Sequence, residues 1–140
     1  MAMSYDLVIP AWHHGHVEPD AVQRALQATA DGGVIGLPTE TVYGLAALAK
    51  DRVAVARVFE IKGRPSDHPV IVHVAGPTDL RNWGKGVADY AVRLAEGLWP
   101  GPLTLVVPAA DDVPRYLTGG QDTVGLRCPA HPVALAVIEA

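Results

Sequence analysis

A run of hydroxyl and carboxylate side chains follows directly after an apolar segment: Pro38-Thr39-Glu40-Thr41-Val42-Tyr43-Gly44-Leu45. Further along come Lys62-Gly63-Arg64-Pro65 and then Pro69-Val70-Ile71-Val72-His73-Val74. Hydroxyls on a turn can both donate to and accept from a small polar molecule. If the segment is extended, Thr39, Thr41 and Tyr43 share one face. The same residues equally suit a strand whose hydroxyls satisfy nearby backbone. Lys62 and Arg64 lie just past a helical pattern, held by Gly63 and Pro65. Such a pair can meet a phosphate, lysine as a point charge and arginine as a fork. It also suits two solvated cations at a helix C-terminus, where the macrodipole favours them.

His73 lies inside an apolar strand pattern, as either a hydrogen-bonded core imidazole or a ligand contact. Arg127 closes the apolar run Val124-Gly125-Leu126-Arg127. A charge at the end of such a strand calls for a carboxylate partner, from the chain or from a ligand. Ligands of open α/β sheets sit outside the carboxyl ends of strands, and both Arg127 and Thr39–Tyr43 fall at such ends. His13, His14 and His16 have no carboxylate or cysteine nearby that completes a spaced metal set, and read as a solvated loop. Cys128 needs a lowered pKa to act as a nucleophile. In a strand it faces away from Arg127, and it reads as a buried structural thiol. Neither a Gly-x-x-x-x-Gly-Lys loop nor a Gly-x-Gly-x-x-Gly fingerprint is present, so any nucleotide site is of another kind.

The elements that must position these residues follow from periodicity. Leu7–Ile9 is a short strand candidate. Pro19 opens a helix carrying Val22, Ala25, Leu26 and Thr29 at helical spacing, stopped by Gly32-Gly33. Val34–Leu37 reads as a strand buried on both faces, with Thr39–Gly44 as the turn leaving it. Asp51 caps a second helix that ends near Lys62, because Gly63 and Pro65 disfavour its continuation. Strands are expected at Val70–Val74, Leu103–Val107 and Thr123–Arg127, and helices at Thr78–Trp83, Val87–Leu98 and Pro132–Glu139. The Val87–Leu98 helix should carry Val87, Tyr90, Ala91, Leu94, Ala95 and Leu98 on one side. Asp111–Gln121 reads as irregular. Strands alternating with helices give an α/β class.

At 140 residues, one domain is the expectation. A hydrophobic share of 49% supports a folded core and excludes disorder. The net charge of −4 argues against nonspecific coating of nucleic acid, which needs many cation–phosphate contacts. No apolar stretch reaches the length of about 18 residues that spans a bilayer. Met1–Pro10 lacks a basic segment followed by a long apolar one, so no secretory signal is expected. The lone Cys128 fits a reducing cytoplasm.

Four ordered motifs carry a family resemblance. They are Pro38-Thr39-Glu40-Thr41-Val42-Tyr43-Gly44-Leu45, Lys62-Gly63-Arg64-Pro65-x-x-x-Pro69, Trp99-Pro100-Gly101-Pro102-Leu103-Thr104 and Val124-Gly125-Leu126-Arg127-Cys128-Pro129-x-His131-Pro132. From about Pro19 to its end the chain resembles the YrdC-like threonylcarbamoyl-AMP synthases. The resemblance implies a twisted mixed sheet flanked by helices, with a concave ligand-binding face. It implies that L-threonine, bicarbonate and ATP are joined to give threonylcarbamoyl-AMP and pyrophosphate, with Mg²⁺ on the nucleotide. A downstream tRNA-modifying protein complex would take the product; direct binding of tRNA is left open. Thr41, His73 and Arg127 would bind threonine, and Lys62, Arg64, His68 and Thr123 would bind ATP. No residue is assigned to catalysis apart from binding.

The family continues with a Ser-x-Asn segment, and this chain reaches Ala140 without one. The expectation is therefore a single YrdC-like domain over residues 1–140 that lacks its C-terminal part. Two alternatives share the fold. One is a carbamoyl-adenylating domain of a carbamoyltransferase, which carries a different motif where Thr39–Tyr43 stands here. The other is a noncatalytic RNA-binding module, which needs a basic concave face that the acidic composition does not favour.

Overall fold

The computed structural model describes residues 8–140. The strand expected at Leu7–Ile9 begins outside them, and Val8 and Ile9 are not in a strand. The three-histidine segment is not a loop but a hairpin, β1 (Trp12–His13) pairing antiparallel with β2 (His16–Val17). Its turn places His14 and Gly15 at positive φ.

Helix α1 (Pro19–Ala30) begins with proline at its first position, as the sequence requires, and buries Ala21, Val22 and Thr29. The buried Thr29 hydroxyl donates back to the Ala25 and Leu26 carbonyls, so no polar atom is stranded. Strand β3 (Ile35–Leu37) pairs antiparallel with β4 (Gly44–Ala46) as a separate ribbon. The reading of β3 as buried on both faces is corrected: only Leu37 is buried, because the strand has one neighbour and stands outside the main sheet.

Helix α2 (Arg52–Lys62) starts where Asp51 accepts hydrogen bonds from the Val53 and Ala54 amides. It stops at Gly63, whose φ of 61° is left-handed and favours glycine. Then come β5 (Ile71–His73), a 3₁₀ turn (Pro77–Asp79), α3 (Leu80–Trp83), α4 (Asp89–Leu98) and β6 (Leu105–Pro108). The expected single-sided apolar stripe of α4 divides. Ala91 and Ala95 are buried, whereas Tyr90, Leu94 and Leu98 face solvent. The Asp111–Gln121 segment contains a helical turn, α5 (Arg115–Thr118), which the sequence did not suggest. Strand β7 (Thr123–Arg127) and α6 (Pro132–Glu139) complete the order.

The main sheet is mixed, in the order β5-β7-β6, with β5 parallel and β6 antiparallel to the central β7. One face carries Val72, Val124, Leu126, Leu105 and Val107 into a core shared with Val55 and Phe59 of α2, Leu80, Ala95, Trp99 and Leu117. Strand alternation turns Ile71, His73, Thr123, Gly125, Arg127 and Val106 to the opposite, open face. Ile71, Gly125 and Val106 stand in one cross-strand row, so the middle of that face is a shallow floor over a bare glycine. Among the described residues, no helix is long and apolar enough to cross a membrane.

Candidate ligand-binding site

The carboxyl ends of β5 and β7 run side by side, with His73 opposite Arg127 in the parallel register. Cross-strand partners project from the same face, so imidazole and guanidinium are neighbours. The His73 pKa is lowered from its ordinary 6.5, first by burial and then by the Arg127 charge; a backbone hydrogen bond to Ile71 and the Glu40 charge act weakly the other way. The neutral ring can accept a hydrogen bond. Beside it lies a cavity of about 360 Å³, lined by His73, Val74, Ala75, Asp79 and Trp83 with the end of α6.

Arg127 is held from several sides. Its Nε donates to the Gly101 carbonyl at 3.2 Å. Trp99-Pro100-Gly101-Pro102 is thus the support of the guanidinium, and the Gly101 amide donates in turn to the Cys128 carbonyl at 2.8 Å. A side chain at residue 101 would strike the Leu98 carbonyl at 2.6 Å, which explains the glycine. Thr41 Oγ1 stands 3.4 Å from both Nη1 and Nη2. Glu40 forms an ion pair with Nη2, and its other oxygen accepts from the Ala130 amide. The carboxylate partner that Arg127 demands is therefore internal. Side-chain exposure is only 12% for Arg127 and 24% for Glu40, so water screens this pair less than a surface pair.

The Thr39–Tyr43 segment is a bend, not an extended strand. Thr39 Oγ1 accepts from the Thr41 and Val42 amides at 3.3 and 3.2 Å and donates to the Val42 carbonyl at 2.6 Å. It also lies 3.1 Å from the Thr41 hydroxyl. A threonine tying its own turn in this way fixes the backbone that presents Glu40 and Thr41. Tyr43 is 80% exposed and does not join the other two hydroxyls.

The structure thus brings together Thr41, His73 and Arg127. Thr123 is on the same open face but at the opposite end of β7, roughly 13 Å away at about 3.3 Å per residue. Lys62 ends α2, and Arg64 and His68 lie on the exposed stretch that leads into β5, whose first residue, Ile71, pairs with Gly125. Among the described residues, no hydrogen bond or ion pair holds the side chain of any of the three. The loop is seated by Gly119, at a φ of 61°: a side chain there would meet the Asp67 carbonyl at 2.5 Å. Glu40 was not among the expected site residues, although the carboxylate that Arg127 required stood inside the hydroxyl-rich motif.

His13 Nδ1 and His16 Nε2 both stand 3.8 Å from Glu18 Oε1, so a carboxylate does accompany those histidines. Even so, no group of three or more His, Cys, Asp or Glu side chains among the described residues is arranged to hold a metal. Cys128 is buried, and burial raises its thiol pKa, the opposite of what a nucleophile needs. His131 Nδ1 accepts from the Val133 amide at 3.2 Å and caps α6.

The sequence profile of the Sua5, YciO and YrdC proteins, described as telomere recombination, matches residues 27–140. The chain belongs to the Sua5/YciO/YrdC family. The threonylcarbamoyl-AMP synthase of Pyrococcus abyssi is 52% identical over 123 residues, covering 88% of this chain and 36% of that protein. The Bacillus subtilis threonylcarbamoyl-AMP synthase is 44% identical over 119 residues, covering 84% of this chain and 34% of that one. The chain therefore spans about a third of the length of these two relatives. A crystal structure of P. abyssi Sua5 complexed with L-threonine superposes with a TM-score of 0.85 at 48% identity, over 89% of this chain and 36% of that one. The mixed sheet flanked by helices is the family's fold.

Proposed function

We propose that this chain carries the threonine- and ATP-binding face of a threonylcarbamoyl-AMP synthase, a nucleotidyltransferase acting in tRNA threonylcarbamoyladenosine modification. The observation that carries the reading is the convergence of Arg127, His73 and Thr41 at one sheet edge, in a chain whose relatives bear that enzyme's name. The solved relative complexed with L-threonine supports threonine as the amino-acid substrate.

Arg127 clamps the threonine carboxylate through its two terminal nitrogens. Neutral His73 accepts a hydrogen bond from the ligand's hydroxyl or amine, and Thr41 adds a hydroxyl that can serve either way. The amine captures bicarbonate-derived carbon dioxide, and the carbamate oxygen attacks the α-phosphorus of ATP, releasing pyrophosphate. Lys62 and Arg64 neutralise the phosphates, and His68 and Thr123 contact the nucleotide at the far end of the open face. Positioning and charge neutralisation supply the acceleration. Mg²⁺ enters as part of the substrate, held by phosphates and water. The product passes to a tRNA-modifying protein complex in the cytoplasm.

Pyrophosphate release tests the reading. Release should require threonine, bicarbonate and Mg-ATP together. Release indifferent to threonine, or driven instead by carbamoyl phosphate, overturns it.

A further inference from the structure

Arg127 serves an incoming carboxylate in the reading above, yet a carboxylate of the chain already touches it. The geometry separates the two roles. A guanidinium carries five N–H donors. Gly101 takes the Nε donor and Glu40 takes one on Nη2, so each terminal nitrogen keeps at least one N–H unclaimed by either. Thr41 Oγ1, 3.4 Å from both Nη1 and Nη2, sits in the fork between them as a long, shared acceptor. The edge they form has the two-pronged shape a ligand carboxylate matches, and the carboxylate takes it by replacing this long Thr41 contact, which leaves the Thr41 hydroxyl free to turn to the ligand.

Glu40 is itself anchored. Its second oxygen accepts from the Ala130 amide, and its backbone lies in the bend that Thr39 ties. A carboxylate acting as a removable plug would have to break both the Arg127 and the Ala130 contacts. One that stays in place keeps both and keeps a largely buried guanidinium neutralised when no ligand is bound. A second carboxylate is then balanced by the amino acid's own ammonium group.

We infer that Glu40 is a positioning residue. By bridging Arg127 to the Ala130 backbone, it turns the Nη1/Nη2 edge of Arg127 toward the substrate carboxylate and joins the β3–β4 bend to the segment after β7. The inference rests on the threonine reading for the identity of that carboxylate.

Calorimetric titration of the full chain with L-threonine and, separately, with ATP tests it, alongside thermal unfolding. Glu40→Ala should weaken threonine binding about tenfold or more, as misplacement of a clamp does, and leave ATP binding within about twofold. Glu40→Gln should recover part of the loss, since its amide oxygen replaces one of the two carboxylate oxygens while its NH2, a donor, faces the other N–H. Tighter threonine binding by Glu40→Ala would make Glu40 a competing plug and overturn the inference. So would unchanged binding, or a parallel loss for both ligands with a lowered Tm. If the unaltered chain binds no threonine, the threonine reading fails by itself. The tie is then judged from the Tm values of Glu40→Ala, Arg127→Ala and the double variant: losses that simply add overturn it, and losses that do not add uphold it.

Discussion

His73 and Arg127 are direct partners across the parallel strands β5 and β7, so an imidazole and a guanidinium share one sheet edge. Burial and the Arg127 charge together lower the His73 pKa below 6.5. A lowered histidine pKa means that the unfolded chain binds the proton more readily than the folded one. Its contribution to stability is therefore complete above pH 6.5 and is lost as pH falls through the folded value. Protonation would also remove an acceptor and set a second cation beside Arg127. Threonine affinity should fall as pH is lowered from 6.5, and His73→Gln should flatten that dependence. A wild-type affinity that stays unchanged as pH is lowered through the folded His73 titration, followed by NMR of the imidazole, would refute the role.

Arg127→Ala removes the charged clamp and leaves Glu40 without its partner. Loss of one member of a desolvated charge pair costs on the order of 2–5 kcal/mol, or roughly thirty-fold to several thousand-fold in affinity. Threonine binding should weaken by that range while ATP binding changes little, as read by calorimetry. Arg127→Lys should not restore it, because a point charge cannot reproduce the Nε bond to Gly101 together with a two-pronged edge.

How far the sequence reaches is seen in particular elements. Thr123–Arg127 and Pro132–Glu139 emerge at the expected bounds, since prolines at 129 and 132 punctuate them and β7 alternates cleanly. Asp51 caps α2 as expected because a cap is a local property. Strand β4 escaped notice because Gly44-Leu45-Ala46 has weak strand preference and exists through pairing with β3. Helix α5 escaped because one turn of Arg115–Thr118 depends on distant contacts, such as the Tyr116 hydroxyl donating to the Ala49 carbonyl at 2.9 Å. At the site, Arg127 announced its need for a carboxylate. Which carboxylate answered was decided by the bend at Thr39, a tertiary outcome no spacing encodes.

Gly119 and Gly120 form a matched pair for testing the loop that leads into β5. Both have positive φ, but only Gly119 has backbone within reach of an added side chain, the Asp67 carbonyl at 2.5 Å and the Pro69 nitrogen at 2.8 Å. Gly120→Ala should cost about 1 kcal/mol for left-handed backbone alone. Gly119→Ala should cost more, about 2–3 kcal/mol, and should displace the Arg64–His68 stretch. Denaturant unfolding reads the first difference. A raised ATP Kd for Gly119→Ala only, with threonine binding retained, reads the second.

Gly125 offers a test of the open face that spares the fold. A side chain there would make only ordinary contacts, with Thr104 Cγ2 at 3.6 Å and Ile71 Cγ1 at 3.8 Å. Its row neighbours Ile71 and Val106 are exposed, so a branched side chain has room above the sheet. Gly125→Val should alter stability by no more than about 1 kcal/mol, and a β-branched residue in a strand favours the stabilising direction. The same valine raises the floor between the Thr123 end and the Arg127 end, which the proposed function has a threonine-linked nucleotide cross. Binding of ATP in the presence of threonine should fall by at least about tenfold with Tm preserved, a loss of 1.4 kcal/mol or more. Full binding by a stable Gly125→Val chain would move the nucleotide off this face.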